Sequence, residues 1–386
     1  MFTPSKPNLL AAIACLVAGV PFGILRAQDQ SLDLNNSVKF NLPADSPVAL
    51  LSWDYNESRA TVRGGAVTLD LNMDLSLRNS AQRRVRGVTM LVVAQEASAF
   101  GKASVSRLVD VGPGESFPLK VSVRLVRPYP ASGPLVQVNL DGVLFDDLAF
   151  YGPNRLNSKR TMTFWETEAR RDRQYFKQVL MTRGPSALQQ EMLNSLTRQS
   201  EVPRLDVRLS RGRATSAAAT PGRPAQFAFL DIPDAPVKAI EGWAEIAGEE
   251  LRSPRVEVEN QSSRAVRFVE IAWLVNDRQG KQYLAGSVPA SETDLFLPPG
   301  HRGKLLQDTA LRFSRPNSSA PLVIDKMVGV VSQVEFADGK VWVPKRESLA
   351  ANKLLNVLAP SPEEQRLSDL YRTRGLNALI QELNKF

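Results

Sequence analysis

The chain has 386 residues, with 48 Lys or Arg, 40 Asp or Glu, one His and one Cys, and a formal net charge of +8. This length predicts two or three domains of ordinary size, and 43% hydrophobic with 23% charged residues is typical of a globular protein. A single histidine and a single cysteine exclude a Cys/His metal cluster and a disulfide framework.

Residues 1–27 are predicted to form a secretory signal peptide. Lys6 supplies the positive start, and residues 9–25 form an uncharged, mostly apolar stretch that is followed by a polar segment. A retained membrane anchor is one alternative, because this apolar stretch lies at the short limit of a membrane span. Lipid attachment at Cys15, which follows Ala12-Ile13-Ala14, is another. We expect a secreted or periplasmic protein of the cell envelope, in contact with the membrane only if the signal segment stays uncleaved.

Two parts of the sequence are similar to each other along most of their length. Residues 39–54 match residues 228–245, and residues 77–93 match residues 258–275. The segment TRGPSALQQE at 182–191 agrees with TRGLNALIQE at 373–382 at seven of ten positions. Self-similarity of this kind is typical of duplicated structural units.

Alternating apolar and polar residues predict strands at the beginning of each unit. Residues 66–79 alternate over their whole length, which is the pattern of a strand with one face on a core. Asp338-Gly339, between Phe336 and Trp342, predicts a tight hairpin. Short strands with Pro-Gly turns between them favour an antiparallel β-sandwich.

Each unit ends in segments with a helical pattern. Ser361-Pro362-Glu363-Glu364 is a capping box with proline at the first helical position. Residues 376–386 carry an apolar stripe at helical spacing, and Gly184 and Gly375 are predicted to lie in the turns between paired helices. Such a hairpin could cap the edge of its own sheet, the arrangement we favour, or dock on the other unit or on a second chain.

The predicted fold is mainly β with α, in two duplicated units, each an Ig-like antiparallel β-sandwich followed by a helical hairpin. After the signal peptide at 1–27, the predicted segments are β-sandwich 1 at 36–158, helical hairpin 1 at 159–200, a linker at 201–226, β-sandwich 2 at 227–349 and helical hairpin 2 at 350–386.

The strand order, the asparagine-containing turn, the Pro-Gly turn and the closing hairpin with the pattern F-x-D-G-x-x-W resemble bacterial secreted domains of the immunoglobulin/fibronectin-III-like type. The resemblance covers residues 36–155 and 225–345. It implies a binding or spacer module of the cell envelope, and it implies no catalytic residue.

Several residues are candidates for chemistry, and each has a simpler structural interpretation. His301 follows a Pro-Gly turn without a nucleophile motif near it, so we interpret it as a solvated turn residue. Asp147 and Asp338 occupy the same hairpin position in the two units, which a turn-forming aspartate explains better than catalysis or metal binding. Glycine-rich phosphate loops are absent from the sequence, and we predict neither a cofactor nor a metal site.

Two groups of residues are candidates for binding. Basic residues of the first helical segment could contact an anionic envelope polymer or an acidic partner, unless nearby acidic residues neutralise them. Trp165 and Tyr151 could stack on sugar rings, whereas the four tryptophans on strand patterns are expected to be buried. The predicted anionic-partner patch consists of Arg160, Arg170, Arg171, Arg173 and Lys177.

The sequence favours a non-catalytic interaction or structural module with two similar binding or spacer units. Its partner would be an unknown protein or an envelope polymer, and nucleic acid is not expected for an exported chain. A carbohydrate-active hydrolase using carboxylates between the two units, and a membrane-anchored periplasmic accessory protein, are the alternatives.

Overall fold

The computed structural model describes residues 38–63, 66–94, 102–128, 136–201, 203–211, 222–289, 294–306, 309–315, 322–351, 353–356 and 358–386. The predicted signal peptide lies outside the described residues. The described part is mainly β, as predicted, with four α-helices and one short 3-10 helix.

The first half of the chain forms two β-sheets. In one sheet the strand order is β1-β8-β5-β6, with β9 paired to β8; in the other, β4 pairs with β2, β3 and β7. All of these pairs are antiparallel except β1 with β8. The strands are β1 (Val38–Asn41), β2 (Val48–Asp54), β3 (Arg59–Arg63), β4 (Ala66–Asn79), β5 (Val85–Ala94), β6 (Lys102–Val111), β7 (Ser116–Pro128), β8 (Val136–Phe145) and β9 (Phe150–Tyr151).

The core of the first half lies between these two sheets. Alternate side chains of β4, from Val67 to Leu77, are at most 1% exposed, and they pack with residues of β5, β7 and β8. The alternation that predicted this strand is therefore confirmed. Apolar side chains on one face of each sheet leave water together, which is the main contribution to the stability of such a layer pair.

The second half forms one 11-stranded sheet, part of which has the strand order of the first half. Its strands run β12-β19-β15-β16, with β20 on β19, and β13 pairs with β14, which also pairs with β17 and β18. The first pair is again parallel. The strands are β10 (Arg204–Arg211), β11 (Arg223–Gln226), β12 (Ala228–Leu230), β13 (Val237–Ala247), β14 (Glu250–Asn260), β15 (Val266–Asp277), β16 (Gln282–Pro289), β17 (Arg302–Leu305), β18 (Thr309–Ser314), β19 (Ile324–Phe336) and β20 (Val341–Trp342).

Part of the predicted linker is strand. β10 pairs in parallel with β16 and antiparallel with β18, so it joins the two parts of the 11-stranded sheet, and β11 pairs with β13. Leu205 is 3% exposed in the core of this half, and Val207 packs against that core. The predicted linker at 201–226 therefore contains two strands. The composition typical of a linker lies in residues 211–226, and the apolar alternation of Leu205 and Val207 comes before it.

A buried asparagine holds the same turn in each half. The Asn79 amide donates to the carbonyl oxygen four residues later at 2.8 Å and to that of Val111 at 3.1 Å. The Asn260 amide donates to the carbonyl oxygen four residues later at 2.7 Å and to that of Leu297 at 2.9 Å. Both asparagines are fully buried, and in each half the hydrogen bond to the more distant carbonyl oxygen, that of Val111 or Leu297, is buried as well.

The closing hairpins of the two halves also share their contacts. Arg83 pairs with Asp147 and lies over the phenylalanine ring two residues before that aspartate. Arg264 pairs with Asp338 and lies over the corresponding phenylalanine ring. Each aspartate also accepts a hydrogen bond from the backbone N–H two residues later, at 3.0 and 3.1 Å. The predicted hairpin at Asp338 is confirmed.

The tryptophans that align in sequence, Trp53 and Trp243, are not buried as expected, because each is 46% exposed. Trp53 packs on Phe40, with ring centroids 5.0 Å apart, and Trp243 lies under the guanidinium of Arg255. In the paired strands, Trp53 lies opposite Leu75, which precedes the buried Asn79 by four residues. Trp243 lies opposite Arg255, which precedes the buried Asn260 by five residues. The two rings are therefore one residue out of register. The expectation of burial is confirmed for Trp273, which is 1% exposed.

Helices end each half, as the sequence predicted. Gly184 and Gly375 adopt φ of +84° and +79° between consecutive helical segments, a region that favours glycine. The Ser361 hydroxyl accepts a hydrogen bond from the backbone N–H of Glu364, which confirms Ser361 as the N-cap. The second half of the predicted capping box is not formed among the described contacts, because the Glu364 carboxylate accepts from Arg346, Ser195 and Arg198 instead. The helices are α1 (Ser158–Arg183), α2 (Pro185–Glu201), α3 (Arg346–Ala351), a 3-10 turn (Leu354–Asn356) and α4 (Pro362–Leu383), which is interrupted at Gly375.

The helices of the two halves pack against each other in one apolar cluster. α1 also lies against the neighbouring strands β8, β5 and β6 of its own half, so it packs across this sheet as well as against the helices of the other half. Capping of the sheet edge stays a prediction. The fully buried members of the helical cluster are Phe176, Val179, Leu188 and Met192 from the first half, and Leu367, Leu379 and Leu383 from the second.

Candidate functional site

The arginines of the predicted anionic-partner patch bind carboxylates of this chain. Their partners are Glu335 and Asp294 for Arg160, Glu166 for Arg170, Asp172 for Arg171, and Glu166 and Glu363 for Arg173. The structure places these arginines in intramolecular ion pairs rather than on a free basic surface, and Lys177 is half-buried. Three of these carboxylates belong to the second half, and helical spacing could not reveal them.

A buried arginine of the second half holds the helices of both halves together. Arg346 is 1% exposed, and its guanidinium donates to the two oxygens of Glu364 at 2.8 and 2.9 Å and to Asp172 at 3.3 Å. It lies over the rings of Tyr175 and Phe176, 4.8 and 4.7 Å from their centroids. Because α1 belongs to the first half, this arginine crosslinks the two halves.

The Glu364 carboxylate also accepts hydrogen bonds from α2 of the first half. The Ser195 hydroxyl and the Arg198 guanidinium donate to its Oε1 at 2.6 and 2.7 Å. Burial opposes its ionisation, but the hydrogen bonds and charges of Arg346, Ser195 and Arg198 outweigh burial and lower the pKa of Glu364 to about 2. We call the group of Asp172, Ser195, Arg198, Arg346, Ser361 and Glu364 the junction network.

A cavity of about 250 Å³ lies beside the junction network. Its walls come from α1, from the strands β10, β15, β16 and β19 of the second half, and from the segment between α3 and α4. Apolar and polar side chains alternate around it. Those that matter for binding are Trp165, Glu168, Arg171, Arg204, Gln333 and Arg346.

Glu168 is the carboxyl group of the cavity wall whose pKa is raised. Burial raises its pKa to about 7, and this outweighs the opposing charge of Arg171 and the hydrogen bond that the Gln333 amide donates to its Oε1 at 3.3 Å. The negative charges of Asp172 and Glu270 add to the increase. A carboxyl group in this state can accept or donate a hydrogen bond near neutral pH.

Arg204 is the arginine of the cavity wall that is exposed to solvent. Within the described part of the chain, its side chain forms no ion pair or hydrogen bond, and partial burial lowers its pKa. Its backbone lies opposite Leu284 in β16, so the β10 strand fixes its position at the cavity. By contrast, Arg171 and Arg346 are held by Asp172.

The two predicted stacking residues lie in different parts of the molecule. Trp165 is half-buried on α1 and lines the cavity. Tyr151 lies in β9, and its hydroxyl donates to Asp45 Oδ1 at 2.8 Å. The structure therefore associates Trp165 with the cavity residues and gives Tyr151 a contact within the first half.

The other candidate residues are turn residues. His301 is exposed, and its Nδ1 lies 2.9 Å from the carbonyl oxygen of Pro299. In the described ranges of the chain, no three His, Cys, Asp or Glu side chains are placed to hold a metal ion. None of the helices among those residues is long and apolar enough to cross a membrane.

Sequence reasoning missed most of the cavity. Glu168 and Gln333 are far apart in the chain, and Arg204 lies in the segment assigned to the linker. A weak signal existed for Glu168, because it lies three residues after Trp165 and four before Asp172, on the same helical face, in a segment that contains both charges. The signal could not show which strand faces that helix.

The comparisons with known proteins give no family. No protein-family model matches the sequence, and no curated protein matches it. Among solved structures, the chain is similar to one described as "pT26-6p", with 8% identity, 87% of this chain and 72% of that chain covered, and a TM-score of 0.17. It is also similar to red sea bream transglutaminase, with 10% identity, 77% and 31% coverage and a TM-score of 0.12. Similarities this weak carry no argument.

Proposed function

We propose that the protein is an exported, non-catalytic interaction module of the cell envelope, which acts after removal of residues 1–27. Its units would be two duplicated Ig-like β-sandwiches, each followed by a helical hairpin. The shared contacts of Asn79 and Asn260, and of the arginines in the closing hairpins, support a common origin of the two units. The sequence of the first 27 residues supports export.

The observation that carries the binding role is the cavity between the helices and the second half. Ligand sites are concave, mostly apolar and contain a few converging polar groups. The cavity combines Trp165 with Glu168, Gln333 and the solvent-exposed Arg204. The junction network fixes the walls, because it joins α1 to α3 and α4 through buried charges. A pre-organised wall reduces the entropic cost of binding.

Co-sedimentation of the purified protein with isolated cell-wall and outer-surface polysaccharide tests this function. We expect binding that persists at physiological salt, because the walls are partly shielded from solvent ions. The matched variants are Trp165→Leu and, as a control on a distant exposed ring, Trp53→Leu. Loss of binding in the first variant alone would support the cavity, whereas absence of binding at low and at physiological salt would contradict a polymer-binding role.

One observation favours a carbohydrate-active hydrolase as a second candidate. Glu168 and Glu364 both line the cavity, and their environments move their pKa values in opposite directions, to about 7 and about 2. A protonated and an ionised carboxyl group are the pair that glycoside hydrolysis uses. Glu364 is held by two arginines, so the binding role remains the better-supported proposal.

Release of reducing ends from polysaccharide decides between the two candidates. A hydrolase would release them, and Glu168→Gln would abolish the release because the general acid is removed. A binding module would release none while still co-sedimenting with the polymer.

A further inference from the structure

We infer that the cavity binds an acidic sugar, a single pyranose ring with a carboxylate substituent, which stacks on Trp165 and pairs with Arg204. This inference rests on the proposed binding function and specifies its ligand. It follows from the charge of the cavity wall, from its aromatic residue and from its size.

The charge of the wall favours an anion. Four arginines and two glutamates line the cavity. Two carboxylates hold three of the arginines: Glu364 binds Arg198 and Arg346, and Asp172, behind the wall, binds Arg171 and Arg346. Arg204 has no carboxylate partner among the described residues, and because its side chain is exposed it can meet an anion at the open side of the cavity. Burial raises the pKa of Glu168 to about 7, so this carboxyl group is partly protonated near neutral pH. A planar guanidinium pairs with a carboxylate through two hydrogen bonds.

The other wall groups match the rest of a sugar ring. Trp165 is half-buried on α1, so one part of its ring is accessible to a flat, weakly polar face. The Glu168 carboxyl group and the Gln333 amide, which are hydrogen-bonded to each other, offer acceptors and donors for hydroxyl groups. An apolar ligand would leave these polar groups without partners, which costs binding free energy.

The volume limits the ligand to one ring. Pockets for drug-sized ligands measure about 300–1,000 Å³, and this cavity measures about 250 Å³. A terminal or exposed sugar unit of a polymer fits this space better than an internal oligosaccharide. Two sources share this chemistry: a uronic acid, with its carboxylate on the ring, and an amino sugar that carries its carboxylate on a lactyl ether.

Isothermal titration of the purified protein with three probes tests the inference. The probes are D-galacturonic acid and N-acetylmuramic acid, as the two sources of the carboxylate, and D-galactose as the neutral control. We expect one of the acids to bind and galactose to bind at least tenfold more weakly, since a charge-assisted hydrogen bond contributes about 1.5–3 kcal/mol. Binding of galactose with equal affinity, or of neither acid, would overturn the inference.

Variants of Arg204 test whether this residue binds the carboxylate of the acidic sugar. We expect Arg204→Gln to weaken binding of the acid roughly tenfold or more, with a smaller loss for Arg204→Lys, which keeps the charge but not the planar group. Arg302→Gln, at an exposed arginine of β17, is the matched control and should not change affinity. Unchanged affinity in Arg204→Gln, with a preserved circular dichroism spectrum, would refute the assignment.

The outcomes separate this inference from the proposed function. If the protein co-sediments with polysaccharide but binds neither acid, the ligand class is wrong and the binding role stands. If it neither co-sediments with polymer nor binds either acid, both are wrong.

Discussion

Replacement of Arg346 by methionine should destabilise the protein more than any change at its surface. Methionine has a similar length and can fill the space between Tyr175 and Phe176, so the variant removes the charge without creating a large cavity. The charges of Glu364 and Asp172 then remain buried with fewer partners.

The structure sets the size of this effect. Loss of one partner from a buried ion pair costs about 3–5 kcal/mol. Glu364 keeps Arg198 at 2.7 Å, and Asp172 keeps Arg171 at 2.9 Å, so the lower end of this range applies. The cation–π contacts with two rings add roughly 1 kcal/mol. We therefore expect a loss of about 3–4 kcal/mol in the free energy of unfolding.

Urea unfolding followed by tryptophan fluorescence measures this loss by linear extrapolation. Arg302→Met is the control, because Arg302 is 58% exposed and 3.6 Å from its carboxylate, and it should cost less than about 1 kcal/mol. The double variant Arg346→Met with Glu364→Leu should recover part of the loss, since it leaves no unpaired charge on Glu364. If the free energy of unfolding of Arg346→Met lies within about 1 kcal/mol of the wild-type value, the junction network does not hold the halves together.

Three further predictions concern pH and the repeated turns. Because the pKa of Glu364 is about 2 in the folded protein and 4.5 for the free group, the free energy of unfolding should fall as the pH falls from about 4.5 to 2, and Glu364→Gln should fall less steeply. The pKa of Glu168 is raised to about 7, so this residue lowers the free energy of unfolding increasingly between pH 4.5 and 7. The free energy of unfolding of Glu168→Gln should therefore rise by about 2–3 kcal/mol relative to that of the wild type between pH 4.5 and 8. Parallel plots of unfolding free energy against pH for the two proteins would contradict this. Asn79→Ala and Asn260→Ala should each cost about 1–3 kcal/mol in urea unfolding, because one buried and one partly buried carbonyl oxygen lose their donor in each case. A cost in only one variant would show that the two turns are not equivalent.

Local patterns predicted the elements of this fold well. The alternation of 66–79, the Asp338-Gly339 hairpin and the helix N-cap at Ser361 each depend on residues that are neighbours in sequence. Their physical causes are local, since strand alternation, positive φ and helix capping act within a few residues. The β10 strand was missed because its pairing with β16 and β18 is not local.

The candidate site depends on contacts that no local pattern encodes. The sequence pattern predicts that Arg160 and Arg173 are solvent-exposed positive charges of one helix. In the structure they form ion pairs with Glu335 and Glu363 of the second half. A helix pattern identifies which residues share a face, but it does not identify the surface against which that face packs. Trp165, a candidate for stacking on sugar rings, lines the cavity, and its stacking role stays a prediction.

Hydrogen exchange measured by mass spectrometry, with and without the acid that binds in the titration (D-galacturonic or N-acetylmuramic acid), tests the central claim most directly, because it locates the site in the intact chain. We expect slower exchange in peptides from both walls of the cavity, residues 158–175 on α1 and residues 327–336 on β19, and no change in β2 or β13. Protection confined to β2 and β13, or no protection at a saturating concentration, would contradict the assignment of the cavity as the binding site.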